Sequence, residues 1–147
     1  MYEKGIIVGT PYYLWYRKDL SNWNDGHKYT PLLGTYRSDD PVVMSKHIDW
    51  ATGYGINLFM ISWSGYESGD LKFFDNNLKL LLQNPISNNI MMAIIYESPD
   101  RLRTTNNPEA PWEKNLSEPS NLKILLPDFE YLSKNYFQKR NYFKIGN

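Results

Sequence analysis

The sequence GINLFMISWSGYESGD, residues 55–70, is apolar as far as Ile61 and then becomes small, aromatic and acidic. Its apolar part, Ile56–Ile61, is too continuous for a strand with one solvated face and is typical of a strand covered on both sides. Parallel pairing beneath helices is therefore predicted. Such a strand would deliver Ser62, Trp63 and Ser64 to one end of a sheet, where a ligand can meet them.

Two other apolar runs are predicted to be strands of the same kind. Gly5–Gly9 is a β-branched run bounded by glycine, and it leads into the aromatic segment TPYYLWY, residues 10–16. Asn89–Tyr96 is again continuous and ends at Glu97. All three runs are thus followed by polar or aromatic residues, as expected of buried strands that end at a functional face.

A helix is predicted after each strand. The first begins after Ser38-Asp39-Asp40-Pro41, because Ser and Asp cap free N–H groups and proline suits the first helical position, and it should end near Gly53 or Gly55. The second covers about Leu71–Leu82. The third covers Leu122–Phe137, where Pro127 either kinks the helix or marks its true start.

This order of elements predicts a parallel α/β fold, either a barrel or a doubly wound sheet. No G-x-G-x-x-G motif follows a strand, so a dinucleotide site is not expected and the barrel is favoured. Three strands cannot close a barrel of eight. We therefore predict one domain over residues 1–147 that forms about the first three βα units of a (β/α)8 barrel. The long irregular segment Ser98–Ser120 would be a binding loop or lid.

Composition excludes several classes of partner. Sixteen basic residues balance 16 acidic ones among 147, and no basic run is present, so nucleic acid is not an expected partner. Neither a signal peptide nor an apolar run of about 20 residues is found, so no membrane contact is expected and a cytoplasmic location is the default. With two His and no Cys, we predict neither a metal site nor a cofactor.

The aromatic content indicates carbohydrate. Twelve Tyr and five Trp help to make the chain 16% aromatic, more than a core requires. Sugars pack their C–H faces on such rings while their hydroxyls bind directed polar groups. We expect Glu67 and Asp70 to be solvated. We expect His47 and Trp50, which lie in the first helix, to have a packing role or to be solvated rather than to bind ligand. Glu97 would either contact ligand or form a structural ion pair with Arg101 or Arg103.

Four segments resemble, in order and spacing, the opening half of glycoside hydrolase family 99, the endo-α-mannosidase group, and its WbsX-like relatives. They are TPYYLWY (10–16), WNDGHKYTPLLGTYRSDDPVVMSKHIDWATGYGINLFMISWSG (23–65), AIIYES (93–98) and DFEYLSKNYF (128–137). The resemblance covers nearly the whole chain. It implies a (β/α)8 barrel that cleaves internal α-mannosidic links with retention, using two glutamates on a later strand.

The resemblance also implies roles for particular residues. Trp63 matches the first tryptophan of the family's S-W-W-G, and Glu97 matches a glutamate that ends its third strand. Two departures are present: Ser64 replaces the second tryptophan, and Tyr96-Glu97-Ser98 replaces H-x-E-P-Y. The segment NYFKIGN, 141–147, would lead into a fourth strand, so the chain is expected to be truncated before that strand. Tyr13, Trp15 and Tyr16 match the family's aromatic motif after the first strand. The substrate-binding residues predicted from the composition and the resemblance together are Tyr13, Trp15, Tyr16, His27, Trp63, Tyr96 and Glu97.

The predicted partner is an oligosaccharide or polysaccharide, with mannose implied by the resemblance. Catalytic residues stay unassigned, and two alternatives to the hydrolase stay open. One is a carbohydrate-binding or structural remnant that never turns over substrate, and the other is a WbsX-like enzyme of glycan biosynthesis. An open sheet should also associate through its exposed edge.

Overall fold

Three parallel strands form the sheet of this protein. A computed structural model describes residues 5–17, 19–24, 26, 29–105, 107–110 and 112–146. The strands lie in the order β1-β2-β3 and are β1 Gly9–Tyr12, β2 Leu58–Trp63 and β3 Met91–Tyr96. Gly9 lies opposite Leu58, and Trp63 lies opposite Tyr96. The predicted α/β class, with three βα units in sequence, is confirmed.

Helices follow the strands as predicted. They are α1 Pro41–Gly53, α2 Gly69–Gln83, the single turn α3 Ser98–Arg101, and α4 Pro119–Leu132, which continues as a π-helical turn over Ser133–Phe137. Short 3₁₀ turns occupy Ser21–Trp23 and Ser87–Asn89. The cap of α1 is the predicted one, since the Asp40 carboxylate accepts hydrogen bonds from the Val42 and Val43 N–H groups at 2.8 and 3.4 Å.

The first strand differs from its prediction. It begins at Gly9, where the predicted strand ended, and Ile6, Ile7 and Val8 are 52%, 43% and 39% exposed. Asn57 holds this segment against the sheet, because its amide accepts from the Val8 N–H and donates to the Ile6 carbonyl, both at 2.9 Å. The apolar composition indicated burial, but β1 is an edge strand and its neighbours leave this segment uncovered.

The last helix also differs in its bounds. It begins at Pro119, so Pro127 does not mark its start and lies inside it. The π-helical turn follows directly, and in such a turn the backbone hydrogen bonds join residues five apart instead of four. The strands β2 and β3 each begin two residues later than predicted.

The core lies between the sheet and its helices. Leu14, from the segment after β1, is 3% exposed, and its carbonyl accepts a 2.9 Å hydrogen bond from the buried Asn77 of α2. The backbone of the first loop is therefore fixed to the second helix. The buried side chains that strands and helices contribute include Met44, Ile48, Phe59, Ile61, Leu78, Leu81, Met92 and Leu132.

A short segment near residue 142 returns to the free edge of β3. The Met92 N–H donates to the Asn141 carbonyl at 2.8 Å, and the Phe143 N–H donates to the Met92 carbonyl at 2.7 Å. These bonds make a parallel bridge between Met92 and Tyr142. The chain therefore pairs with β3 where the resemblance implies a fourth strand. Within the described ranges, no helix is long and apolar enough to cross a membrane.

Candidate sugar-binding site

The segments that leave the three strands enclose a cavity of about 300 Å³. This volume is at the lower end of the range of about 300–1,000 Å³ that is usual for small-molecule sites. The carboxyl ends of the parallel strands meet at this side of the sheet, which is the side that carries sites in parallel α/β folds. The lining residues are Tyr13, Leu14, Trp15, Ser62, Ser64, Phe74 and Glu97.

One wall of the cavity is aromatic. Tyr13 and Trp15 are each 41% exposed, and their rings stack with centroids 4.2 Å apart and planes 18° apart. Leu14 lies between them in the chain and points inward, as expected when successive side chains of an extended segment face opposite sides. The fixed backbone of Leu14 thus turns both rings outward, and the ring surface that their mutual stacking leaves uncovered is available to a ligand.

The opposite wall is polar and is made by β2 and β3. The Ser62 hydroxyl donates a 2.7 Å hydrogen bond to the Glu97 carboxylate, and Ser64 is 7% exposed. The Glu97 N–H donates to the Trp63 carbonyl at 2.9 Å, which places its side chain beside the end of β2. A carboxylate held by one neutral hydroxyl keeps capacity to accept further hydrogen bonds.

The structural ion pair considered for Glu97 is not formed. Arg101 instead binds Glu67 at 2.7 Å and Asp128 at 2.6 Å. Arg103 makes no ion pair with any of the described residues. The carboxylate of Glu97 is therefore not neutralised by either of the cations that the sequence offered as partners.

Trp63 lies in the core and not at the cavity. Its side chain is 1% exposed, and its indole N–H donates to the buried Asp75 carboxylate at 3.1 Å. Asp75 also accepts from the hydroxyls of Tyr131 and Tyr136 and pairs with Lys79 at 2.8 Å. The expected presentation of this ring at a ligand face is thus corrected, because the end of β2 turns it toward α2 and α4.

Tyr16 and Tyr96 contribute to the structure beside the cavity without lining it. Tyr16 stacks on Trp23 with centroids 4.2 Å apart, and its backbone N–H donates to the Ser38 hydroxyl at 3.0 Å. The Tyr96 hydroxyl donates to Asp128 at 2.7 Å, and burial together with this bond raises the pKa of the phenol. His27 lies outside the described residues.

Four residues that line the cavity were not among the predicted substrate-binding residues. They are Leu14, Ser62, Ser64 and Phe74. The alternation of a strand carried the signal for the two serines, because they must face the opposite side from Trp63 once that ring is assigned to the core. For Phe74, helical periodicity alone does not say which loop its face of α2 will meet.

A larger cavity lies elsewhere among the described residues. It measures about 490 Å³ and lies between the loop at 103–105 and the start of α4, away from the predicted residues. Within the part of the chain that the structure describes, no three His, Asp or Glu side chains come together as a metal site requires. The aromatic and polar cavity is the better candidate site, because Tyr13, Trp15 and Glu97, which the sequence predicted, line it.

Comparison with solved structures identifies proteins of similar fold. No family model matches the sequence, and no curated protein matches it. Two solved structures of a family 99 endo-α-mannosidase from Bacteroides thetaiotaomicron are similar, one of them in complex with bis-tris propane. Their TM-scores are 0.64 and 0.59, with 17% and 15% identity over 95% and 94% of this chain. A glycoside hydrolase-like protein gives a TM-score of 0.63 at 19% identity over 94%.

The chain spans only part of the length of these neighbours. It covers 38% and 42% of the two endo-α-mannosidase chains and 39% of the hydrolase-like chain. Structural similarity over nearly all of this chain, at such low identity, establishes the fold alone. The chain accordingly has the fold of the N-terminal part of the barrel found in these family 99 glycoside hydrolase structures, as the resemblance of its sequence implied.

Proposed function

We propose that this chain forms the N-terminal part of a family 99-like glycoside hydrolase and provides one side of its sugar site. The observation that carries the proposal is the cavity in which the stacked Tyr13 and Trp15 face the Glu97 carboxylate. A pyranose can pack a C–H face on these rings while its hydroxyls donate to Glu97 and bond Ser62 or Ser64. The similarity to endo-α-mannosidases favours a mannose-containing glycan.

In this proposal residues 1–147 form one unit, with the barrel continuing beyond the pairing of Tyr142 with β3. Glu97 binds and orients the sugar by accepting hydrogen bonds. Retaining hydrolysis uses two carboxyl groups about 5–5.5 Å apart, and Glu97 is the one carboxylate among the described residues that line the cavity. The second group would come from another part of the barrel.

The same observation favours a second candidate function. A protein with one carboxylate beside stacked rings is equipped to bind a sugar without hydrolysing it, as a carbohydrate-binding remnant of the fold would. Release of the leaving group from an activated α-mannoside, measured on a protein in which the barrel is complete, separates the two candidates. Turnover supports the hydrolase, whereas affinity without turnover supports the binding protein.

Substitution of Glu97 tests the proposed site. Glu97→Gln keeps the shape and removes the charge, so affinity for an α-linked mannotetraose should fall by about tenfold, the equivalent of ~1.4 kcal/mol. The melting temperature should stay nearly constant, because Glu97 forms no ion pair with the described residues. Isothermal titration calorimetry and thermal unfolding measure the two quantities in the natural protein.

Glu109→Gln is the matched control, since Glu109 is exposed and does not line the cavity. It makes the same change of charge and should leave affinity unchanged. Unchanged binding in Glu97→Gln together with a large loss of stability would contradict the proposal and assign Glu97 a structural role.

A further inference from the structure

Arg101 lies in α3, four residues after Glu97, and its guanidinium group is bonded on two sides. Toward α4 it makes a forked pair with Asp128, with Nε and Nη2 at 2.9 and 2.6 Å from the two carboxylate oxygens. Toward the loop after β2, Nη1 and Nη2 lie 3.1 and 2.7 Å from the two oxygens of Glu67. The arginine side chain is only 9% exposed.

The bonds of Arg101 continue into the two segments that form the polar wall of the cavity, at the ends of β2 and β3. Glu67 accepts from the Tyr66 N–H at 3.1 Å, and Tyr66 follows the Ser64-Gly65 pair at the end of β2. Asp128 accepts from the Tyr96 hydroxyl at 2.7 Å, and Tyr96 directly precedes Glu97. One cation therefore joins the loop after β2 to the end of β3 and to α4.

Gly65 supplies an independent sign that the loop is shaped around this ion pair. Its φ is +136°, and a Cβ added there would lie 2.8 Å from Nη1 of Arg101 and 2.9 Å from Oε2 of Glu67. A side chain at this position would collide with the guanidinium and the carboxylate together. The backbone of the loop therefore needs glycine to lie directly against the pair.

We infer that Arg101 is a positioning residue, which fixes the Ser62–Ser64 side of the cavity relative to Glu97 by locking the loop after β2 to the end of β3. It lines neither wall of the cavity, so it would act through the residues that touch the sugar. This inference rests on the proposed function of the cavity. The inference adds one residue to that function, because Arg101 would set the distance between the loop after β2 and Glu97. Neither the sequence pattern nor the similarity in fold assigns this role to Arg101.

The planar fork of arginine is what this geometry requires. Its donors reach two carboxylates in fixed directions, whereas the single ammonium group of lysine keeps the charge and loses this geometry. Arg101→Lys should therefore loosen the two segments without a change of net charge. Arg103→Lys is the matched control, because Arg103 lies on the same segment and forms no ion pair within the described part of the chain.

The first measurement needs no ligand and follows amide hydrogen exchange in the natural protein. Arg101→Lys should speed exchange at the Tyr66 and Glu97 amides by about tenfold, since local opening becomes easier there. The Met91 amide, which bonds the Asn57 carbonyl at the other end of the sheet, should stay unchanged. Arg103→Lys should change none of the three.

Glu67→Gln keeps the test decisive if Arg101→Lys unfolds the protein. The Glu67 side chain is 46% exposed, so this variant removes the outer ion pair and leaves the buried pair with Asp128 intact. Glu67 is itself the acceptor of the Tyr66 N–H, so the Glu97 amide is the readout for this variant. Faster exchange at Glu97 with an unchanged Met91 supports the inference, and unchanged exchange at Glu97 overturns it.

The second measurement is the affinity for an α-linked mannotetraose by calorimetry. Arg101→Lys and Glu67→Gln should each weaken binding several-fold, and Arg103→Lys should not. Faster exchange with unchanged affinity would overturn the positioning role and leave Arg101 as a stabilising residue. If the unaltered protein does not bind this sugar, the proposed function fails, and exchange at Glu97 still decides whether Arg101 holds the two segments together.

Discussion

Trp15 and Trp63 lie in opposite environments, which their residue type does not reveal. Trp15 is 41% exposed on the wall of the cavity, whereas Trp63 is 1% exposed with its indole N–H bonded to Asp75. Both follow an apolar run and both match an aromatic motif of the resembled family. Only the direction in which the backbone turns each side chain separates an exposed ring on the cavity wall from a core residue.

This difference gives a prediction that compares the two rings. Trp15→Ala should weaken binding of an α-linked mannotetraose roughly tenfold, because a stacking face is lost, with a change in unfolding free energy within about 1 kcal/mol. Trp63→Ala should instead lower the free energy of unfolding by about 3–5 kcal/mol through the cavity it leaves in the core.

Calorimetry and urea unfolding on both variants measure these effects. A loss of affinity in Trp63→Ala at a temperature where the variant is folded, with unchanged stability, would show that the core assignment of Trp63 is wrong. Unchanged affinity in Trp15→Ala would remove the aromatic wall from the proposed site.

Contacts between elements explain how the short first strand is held in place. Tyr12 of β1 stacks on Phe59 of β2 with centroids 4.3 Å apart, and its hydroxyl lies 3.0 Å from Nδ1 of His47 in α1. Burial lowers the pKa of His47 below the ordinary value, because the charged imidazolium is poorly solvated there. Burial thus favours the neutral ring.

The lowered pKa predicts a dependence of stability on pH. The unfolded chain binds a proton at His47 more readily than the folded protein does, so stability should fall as the pH drops through about 6.5 and level off below the folded pKa. In His47→Gln the free energy of unfolding should fall less between about pH 7.5 and about pH 5.5. Urea unfolding at both pH values measures this, and equal falls in the two proteins would contradict it.

At the scale of the whole molecule, an open sheet explains the exposed apolar residues. Within the described ranges β1 has one strand neighbour, and the preceding Ile6, Ile7 and Val8 are all exposed. An uncovered edge with apolar side chains is a template for association. The same edge is where a barrel of this type would place its closing strand.

We therefore predict that the 147-residue chain, taken alone, associates and does not hydrolyse mannosides. Ile7→Lys should reduce association, because a charge on an edge opposes pairing with another chain. Val42→Lys is the matched control, since Val42 is 75% exposed on α1 and lies away from the edge. Light scattering after gel filtration measures the mass, and an activated α-mannoside measures turnover. A single monomeric species with hydrolytic activity would contradict both expectations.

Much of the fold could be predicted from sequence pattern alone. Continuous apolar runs bounded by glycine or polar residues indicated buried parallel strands, and the Asp40-Pro41 cap located the start of α1. These features are local, because each depends on neighbours within a few residues. Their repetition along the chain was enough to predict the α/β class and the side of the sheet where a site should form.

Which of the predicted residues line the cavity could be seen only in the tertiary structure. Tyr13, Trp15 and Glu97 line the cavity, while Trp63, Tyr16 and Tyr96 bind other parts of the protein. Arg101 likewise forms ion pairs with Glu67 and Asp128 and not with Glu97. Sequence pattern identifies which residues are aromatic or charged. The direction each side chain takes at the end of a strand depends on which helix packs there and which distant carboxylate it meets, and those contacts form only when the chain has folded.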